Sequence, residues 1–380
     1  MHNLYSGRLL MTLICCLGFL TYLTAADIVV TTTADSGMGS LRQAVMDAAP
    51  GDMITFAAST NFKAIDLTSG EIVIDKDLTI KGNGLNRTIL TGNQTNRVFN
   101  ITSGPTVIIA QLRMVNGRTH ASGGALRNVD GTVNLRQVFI KSSRAFGDMA
   151  SQGGGAVHNR GMMYIRESLI TRSSALGASG SGGGILNGMG GALDIMTSII
   201  ADNTANRAGG GIEDASGGGS FFTISDTKIR NDTVFTAPGN GGGIHIGGDS
   251  SLTITESMVH GNDAGQEGGS IWIGSGTLTI STTRVYDNEG KGDDADDGGG
   301  GLFNNGGTIL VRNGTKIYDN RATGMSGSGG GILNAMGGTL RITDAAIYNN
   351  IANRAGGGIE DVSGELPPST SPTLNCTITP

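Results

Sequence analysis

Three groups of side chains in this 380-residue chain have types and spacing suited to chemistry. Glu213, His245, Trp272 and Phe303 recur about one repeat apart and stand at equivalent points of a recurring phrase. A carboxylate beside an imidazole can pass protons in acid–base catalysis. Trp272, the sole tryptophan, and Phe303 could form a shallow strip for a sugar or peptide. The competing reading is a mixed solvent face that tolerates an aromatic. Asp293, Asp294, Asp296 and Asp297 put four carboxylates in five positions, an oxygen-rich set of the kind Ca²⁺ prefers. Their spacing matches neither an EF-hand nor the nonapeptide calcium repeat, and a solvated acidic loop competes. His260, Tyr286, Tyr318 and Tyr348 form a third set, either rings stacked for stability or a carbohydrate platform.

Which of these sets converge depends on the elements that carry them. Glycine accounts for 65 residues, about 17% against a usual ~7%. There are only 7 prolines and no Gly at every third position, which excludes collagen. Hydrophobic residues make up 38% and are patterned, which argues against disorder. Interior Gly costs ~1 kcal/mol relative to Ala in a helix, so a helical bundle fits poorly. A β-rich fold with many tight, repeated turns remains.

From residue 123 a glycine phrase recurs nine times, beginning at Gly123, Gly154, Gly183, Gly210, Gly242, Gly268, Gly300, Gly330 and Gly357. Between copies lies a second phrase, L-x-I-x-x-S/T-x-I-x-x-N-x-A, as in Leu193, Ile195, Ile200, Asn203 and Ala205. Residues 179–217 and 326–364 share 28 of 39 positions. The apolar period is 2, the mark of half-buried strands, and no helix-length segment intervenes. Such strands must coil, each turn lying parallel on the last at ~4.8 Å. The GG pairs then mark a corner needing positive φ or close backbone approach. Ser143, Ser173, Asn203, Asp232, Asn262, Asn288, Asn320 and Asn350 form an axial hydrogen-bonded ladder, a structural role. An extra residue between Ile309 and Ile317 predicts a bulge near Arg312–Gly314.

The coil also excludes some chemistry. Glu213-Asp214 and Glu360-Asp361 are five coils apart, roughly 24 Å, too far for a shared dyad. His158 and His245 are three coils apart, about 14 Å, too far to share a metal. Stacking predicts one outward column: Arg127, His158, Leu186, Glu213, His245, Trp272, Phe303, Leu333 and Glu360.

Arg8, the apolar run Leu9–Leu23 and Thr24-Ala25-Ala26 read as a secretory signal over residues 1–26. The run is short of the ~20 residues that span a bilayer, and no other stretch of the mature chain is apolar enough. Cys15 and Cys16 lie in the signal, so Cys376 alone follows it and no internal disulfide is expected. Residues 27–122 keep the strand rhythm without the glycine phrase, residues 123–364 are its repeats, and 365–380 are a polar tail. Ser40-Leu41-Arg42-Gln43 is a capping-box pattern, predicting a short helix over the first coil's edge. The formal charge is −6, which argues against a nucleic-acid partner.

The stretch VTTTADSGMGSLRQAVMDAAPGDMITF (30–56) resembles the N-terminal cap of bacterial secreted right-handed parallel β-helix proteins. Residues 65–99 look like their first coils, and the GGGIxN and N-x-A phrases are similar to polymorphic outer-membrane protein repeats. The resemblance covers nearly all of 27–364 and implies export and an all-β, right-handed parallel β-helix of about eleven coils. It carries little about activity, because the matched residues are structural. Autotransporter relatives also carry a C-terminal barrel, and nothing after residue 364 reads as one. The motifs of β-helix lyases and hydrolases, a paired Asp-Asp with Gly-His-Gly or Arg-x-x-Arg beside a calcium set, are absent.

The expectation is a monomeric secreted or cell-surface protein, adhesin-like and non-enzymatic, that binds glycan, matrix or another cell. It requires no cofactor, with Ca²⁺ as the one candidate. The alternatives are an extracellular polysaccharide lyase or hydrolase and a structural envelope component.

Overall fold

A single repeat explains the whole architecture. In residues 185–205, Ile185–Asn187, Ala192–Met196, Ile199–Ala201 and Thr204–Ala205 are four short strands. Leu193, Ile195 and Ile200 point inward and are fully buried. The bends between strands fall at Thr197 (φ 50°) and Asp202 (φ 57°), and the return corner at Gly182 (φ 64°). Glycine therefore serves the GG corner and the turn before Ala192, at Gly190 (φ 76°), while the bends at the Thr197 and Asp202 positions mostly use non-glycine residues in the left-handed region. At the GG corner the reason is space as well as φ. A Cβ on Gly183 would lie 2.2 Å from the carbonyl oxygen of Gly210 one coil on.

Repeating this turn produces a right-handed parallel β-solenoid of about eleven turns. A computed structural model describes residues 26–364 apart from 236, 237 and 295. The signal residues 1–25, the tail 365–380 and all three cysteines lie outside the described residues. The strands form three sheets, A with 19 strands, B with 11 and C with nine, all paired in parallel. Registers are in phase, so like side chains stack. One column runs Leu135, Ile165, Ile195, Ile224, Ile254, Ile280, Val311, every member buried. Burying each such side chain contributes about 1.5–3 kcal/mol.

The expected ladder is present inside this core. Asn262 Nδ2 donates to Asn288 Oδ1 (3.0 Å), Asn288 Nδ2 to Asn320 Oδ1 (2.8 Å), and Asn320 Nδ2 to Asn350 Oδ1 (2.9 Å). Each Oδ1 also accepts the preceding coil's corner N–H, which would otherwise be buried unpaired. Two further ladders are present. Asn128, Asn159, Asn187 and Asp214 are linked amide to oxygen at 2.8 Å along sheet B. Ser168, Ser198, Thr227, Ser257 and Thr283 accept corner N–H groups along sheet A.

The bulge falls where expected, between Arg312 and Thr315. The helix Leu41–Asp47 buries Leu41, Ala44 and Val45 over the first coil. Its capping box is half formed. Ser40 Oγ accepts from Gln43 N, but Gln43 Nε2 turns to Asp47, because Ser40 N–H already bonds Gly37 O.

Candidate functional site

The outward column of sheet B is in the register read from the repeats. Arg127, His158, Leu186, Glu213, His245, Trp272, Phe303, Leu333 and Glu360 are successive Cα partners. Its environment differs from a solvent face. Glu213 is 1% exposed, His245 7% and Phe303 2%; Trp272 is half-buried. The side chains point away from the aliphatic core, but the segments entering the GG corners supply Arg207, Asn240 and Glu267 against them.

These contacts account for the chemistry of the column. Arg207 Nη2 donates to Glu213 Oε1 (2.9 Å), and His245 Nδ1 lies 2.8 Å from Oε2. That second approach has ion-pair distance without the alignment of a hydrogen bond. Burial pushes the Glu213 carboxyl up, but His245 and Arg207 outweigh it and hold it below the usual range. A buried, doubly paired carboxylate is a poor proton donor at neutral pH and has no route to a substrate. Trp272 stacks on His245 (4.3 Å between centroids, 8° between planes) and faces Phe303 (6.4 Å, 4°). Both ring faces are taken, so the indole has no open face for a sugar.

The structure adds a residue missed in the sequence. Glu267 Oε2 accepts from Trp272 Nε1 (2.8 Å) and Asn240 Nδ2 (2.9 Å). Its carboxyl is pushed up to about 7, by burial first and then by Asp297 and Asp296, with Trp272 opposing. Asp297 of the acidic loop lies close enough to Glu267 for each carboxyl to act on the other. The aromatic column and the acidic loop, separate in the sequence reading, thus meet at this residue. A signal was available. In the position before the nine GG corners stand Ser122, Gly153, Ser181, Ala208, Asn240, Glu267, Gly298, Ser328 and Ala355, and Glu267 alone is ionisable.

The other carboxylates of the loop serve the backbone. Asp293 Oδ1 accepts from Met325 N (2.8 Å) and Asp297 Oδ2 from Asp294 N (3.2 Å). Asp294 and Asp296 are exposed. Among the described residues no three His, Cys, Asp or Glu side chains are grouped to hold a metal. In the third set, His260–Tyr286, Tyr286–Tyr318 and Tyr318–Tyr348 stack at 4.7, 5.0 and 5.0 Å. Successive rings cover one another's faces, as the stabilising reading requires.

The open concavities lie elsewhere, on the outer face of sheet A. One, of about 260 Å³, is lined by Asn134, Arg136, Tyr164, Arg166, Glu167, Met196 and Thr197. Its neighbour, of about 390 Å³, is lined by Asn83, Gly84, Leu85, Gln111, Gln137 and Glu167. They share Glu167, at a positive-φ bend (φ 49°). Gln111, Gln137 and Glu167 are a ladder of bend residues, with amide and carboxylate contacts at 3.0 and 2.8 Å. Arg166 pairs with Asp194 and lies over the Tyr164 ring.

No family model matches the chain, and no curated protein matches its sequence. Among solved structures, it is similar to the A-module of AlgE6, a mannuronan C-5 epimerase of Azotobacter vinelandii. The identity is 13%, over 89% of this chain and 100% of that module, with TM-score 0.32. It is also similar to ORF18 of Geobacillus virus E2, at 12% identity over 88% of this chain and 60% of that one, with TM-score 0.25. At these values neither likeness bears on activity. No helix among the described residues is long and apolar enough to cross a membrane.

Proposed function

We propose that this is an exported, non-enzymatic β-helix protein that binds glycan at the cell surface or in the matrix. The adjoining concavities on sheet A carry this reading. Their walls offer guanidinium, amide, hydroxyl and phenol groups, the donors and acceptors that hydroxylated ligands need. Glu167 is their one carboxylate, so they lack the pair of acids that glycoside hydrolysis requires. The Glu213–His245 pair, the best acid–base candidate in the sequence, is enclosed, with its carboxylate paired to Arg207 and His245. On this reading the column of sheet B braces the coils and sheet A meets the ligand.

The test is a glycan array with the mature chain and two variants. Tyr164→Ala should lose retention, whereas Trp272→Ala should keep it. Release of unsaturated or reducing-end products from any bound polysaccharide would replace this reading with the lyase or hydrolase alternative. Loss in Trp272→Ala alone would return the site to sheet B.

A further inference from the structure

The net charge of the chain hides a strong segregation. Residues 79–193 hold twelve Lys and Arg against three Asp and Glu, nine net positive charges. The rest of 27–364 holds thirteen against twenty-eight, fifteen net negative. The positive stretch contains four consecutive strands of sheet B: Phe99–Ile101, Leu126–Asn128, Val157–Asn159 and Ile185–Asn187. It is a belt roughly 19 Å tall. Ten of its twelve cations, all but Arg97 and Arg166, make no ion pair with a described residue.

Within the belt, cations stand directly on one another. Arg136 and Arg166 are register partners, as are Arg118 and Arg144. Like charges so placed repel. Arg172, exposed at a corner, follows Thr171, the register partner of Lys141. The fold does not demand these residues. The column of Arg136 and Arg166 continues through Met196, Ser225, Thr255 and Ser281 before Arg312, that of Arg144 through Ser174, Thr204 and Thr233, and the corner of Arg172 becomes Asp202 and Asn231. Asp194 partly offsets the first pair through Arg166, but no described carboxylate pairs with Arg136, Arg118 or Arg144, and their charge calls for an anion from outside. His158, buried inside the belt, reports the same field. Burial first, then Arg127, Arg160 and Arg97, hold its imidazole down at about 4.

We infer that residues 79–193 bind an acidic glycan, one bearing carboxylate or sulfate groups, on the outer face of sheet A and around its corner into sheet C. Arg136, Lys141, Arg144 and Arg172 are the anion contacts. The inference rests on the glycan reading above and names the ligand class. The concavities lie within the same belt, so Asn134, Gln111 and Gln137 stand ready for hydroxyl groups beside the cations. Guanidinium forks suit carboxylate and sulfate oxygens. A nucleic acid fits less well. Single strands are held by stacking on open aromatic rings, and the belt's Phe139, Phe146 and Tyr164 each have a guanidinium over one face.

The experiment measures binding of the mature chain to polygalacturonate, dextran sulfate, uncharged dextran and a duplex oligonucleotide. We expect one or both anionic glycans to bind at least about tenfold tighter than dextran. Raising salt from about 50 to 200 mM should cost about tenfold or more. Arg136→Ser, Arg144→Thr and Arg172→Asp, residues found in the same columns of other coils, should together cost at least about tenfold. The circular dichroism of that variant should stay unchanged and its melting temperature should not fall, since stacked like charges are removed. Equal, salt-insensitive binding to dextran and the anionic glycans would overturn this inference and leave the glycan reading standing. Binding to no glycan would overturn both. Oligonucleotide binding as tight as that of the glycans would make the belt a general polyanion site and overturn the assignment.

Discussion

Asp232 occupies a ladder position filled by Asn in Asn203, Asn262, Asn288, Asn320 and Asn350, and it is fully buried. Its Oδ1 accepts from Asn203 N (2.8 Å) and Nδ2 (2.9 Å), as an amide oxygen would. The other oxygen sits where each Asn holds Nδ2, and it has no partner. Elsewhere that Nδ2 donates to the next coil's Oδ1 and to the carbonyl of an inward aliphatic, as Asn262 does to Asn288 and Ile229. An ionised Asp232 would place a charge against acceptors in a dry core. Its carboxyl is accordingly held well above the usual range. Burial is the main cause; hydrogen bonds from Asn203 oppose it, Asp202 adds to it and Arg230 opposes. A raised folded-state value means that stability is fully present below the unfolded value near ~3.9 and is lost as pH rises toward the folded one. Within that window one group costs about 1.4 kcal/mol per pH unit. Asp232→Asn removes the titration and supplies the missing donor. Below about pH 4 the variant should gain only the ~1 kcal/mol of a neutral hydrogen bond. At pH 7 the gain should be several-fold larger. Denaturant midpoints of both proteins from pH 4 to 8 measure this. Parallel curves, or a variant less stable at pH 7, would refute the assignment of a protonated Asp232.

Four further outcomes follow from contacts described above. Trp272 is the sole tryptophan and donates to Glu267, so its emission should shift with a midpoint near pH 7, and Glu267→Gln should abolish the shift. Because Glu267 titrates high in the folded chain, it destabilises as pH rises from ~4.3 through about 7, and melts of Glu267→Gln should show less loss over that range. Asn288→Ala removes the acceptor of Asn262 N–H and Nδ2 and one of the two donors to Asn320 Oδ1, and should cost about 3 kcal/mol or more, read from the unfolding midpoint. Gly183→Ala drives a Cβ into the Gly210 carbonyl and should abolish folding. Gly190→Ala, at φ 76° in open space, should cost only about 1 kcal/mol by thermal melt.

Much of this architecture was legible because a solenoid turns period into proximity. Once the GG corners set the repeat, residue 213 had to neighbour 245, and 245 had to neighbour 272, and these residues are register partners in the fold. The Asn ladder, the tyrosine stack and the bulge near Arg312 followed from the same counting. Alternation, however, says only whether a side chain faces the core. It does not say what lies over the outer side. Glu213 and Phe303 therefore read as a strip open to ligand, although Arg207, Asn240 and Glu267 come from loops with no periodic signal. The Asn ending the GG-x-x-N phrase was visible but had no assigned role until its amide was seen to span coils. A chain-wide charge of −6 averaged away the belt, which appears only when charge is summed coil by coil.

Comparing columns separates what the fold requires from what it leaves free. Inward columns and ladders hold one chemistry along their length, because any departure meets a neighbour at ~4.8 Å in a dry core. Asp232 and Asp214 are such departures, and burial raises both carboxyls. Outward columns on sheets A and C change freely from Arg to Ser, Thr or Asp between coils that share one backbone. Residues constrained by packing are poor evidence of function in this architecture, however conspicuous Glu213, His245 and Trp272 are. The informative positions are those where the backbone would accept anything and the chain nevertheless carries stacked, unpaired arginine. That contrast directs the search for a ligand to residues 79–193.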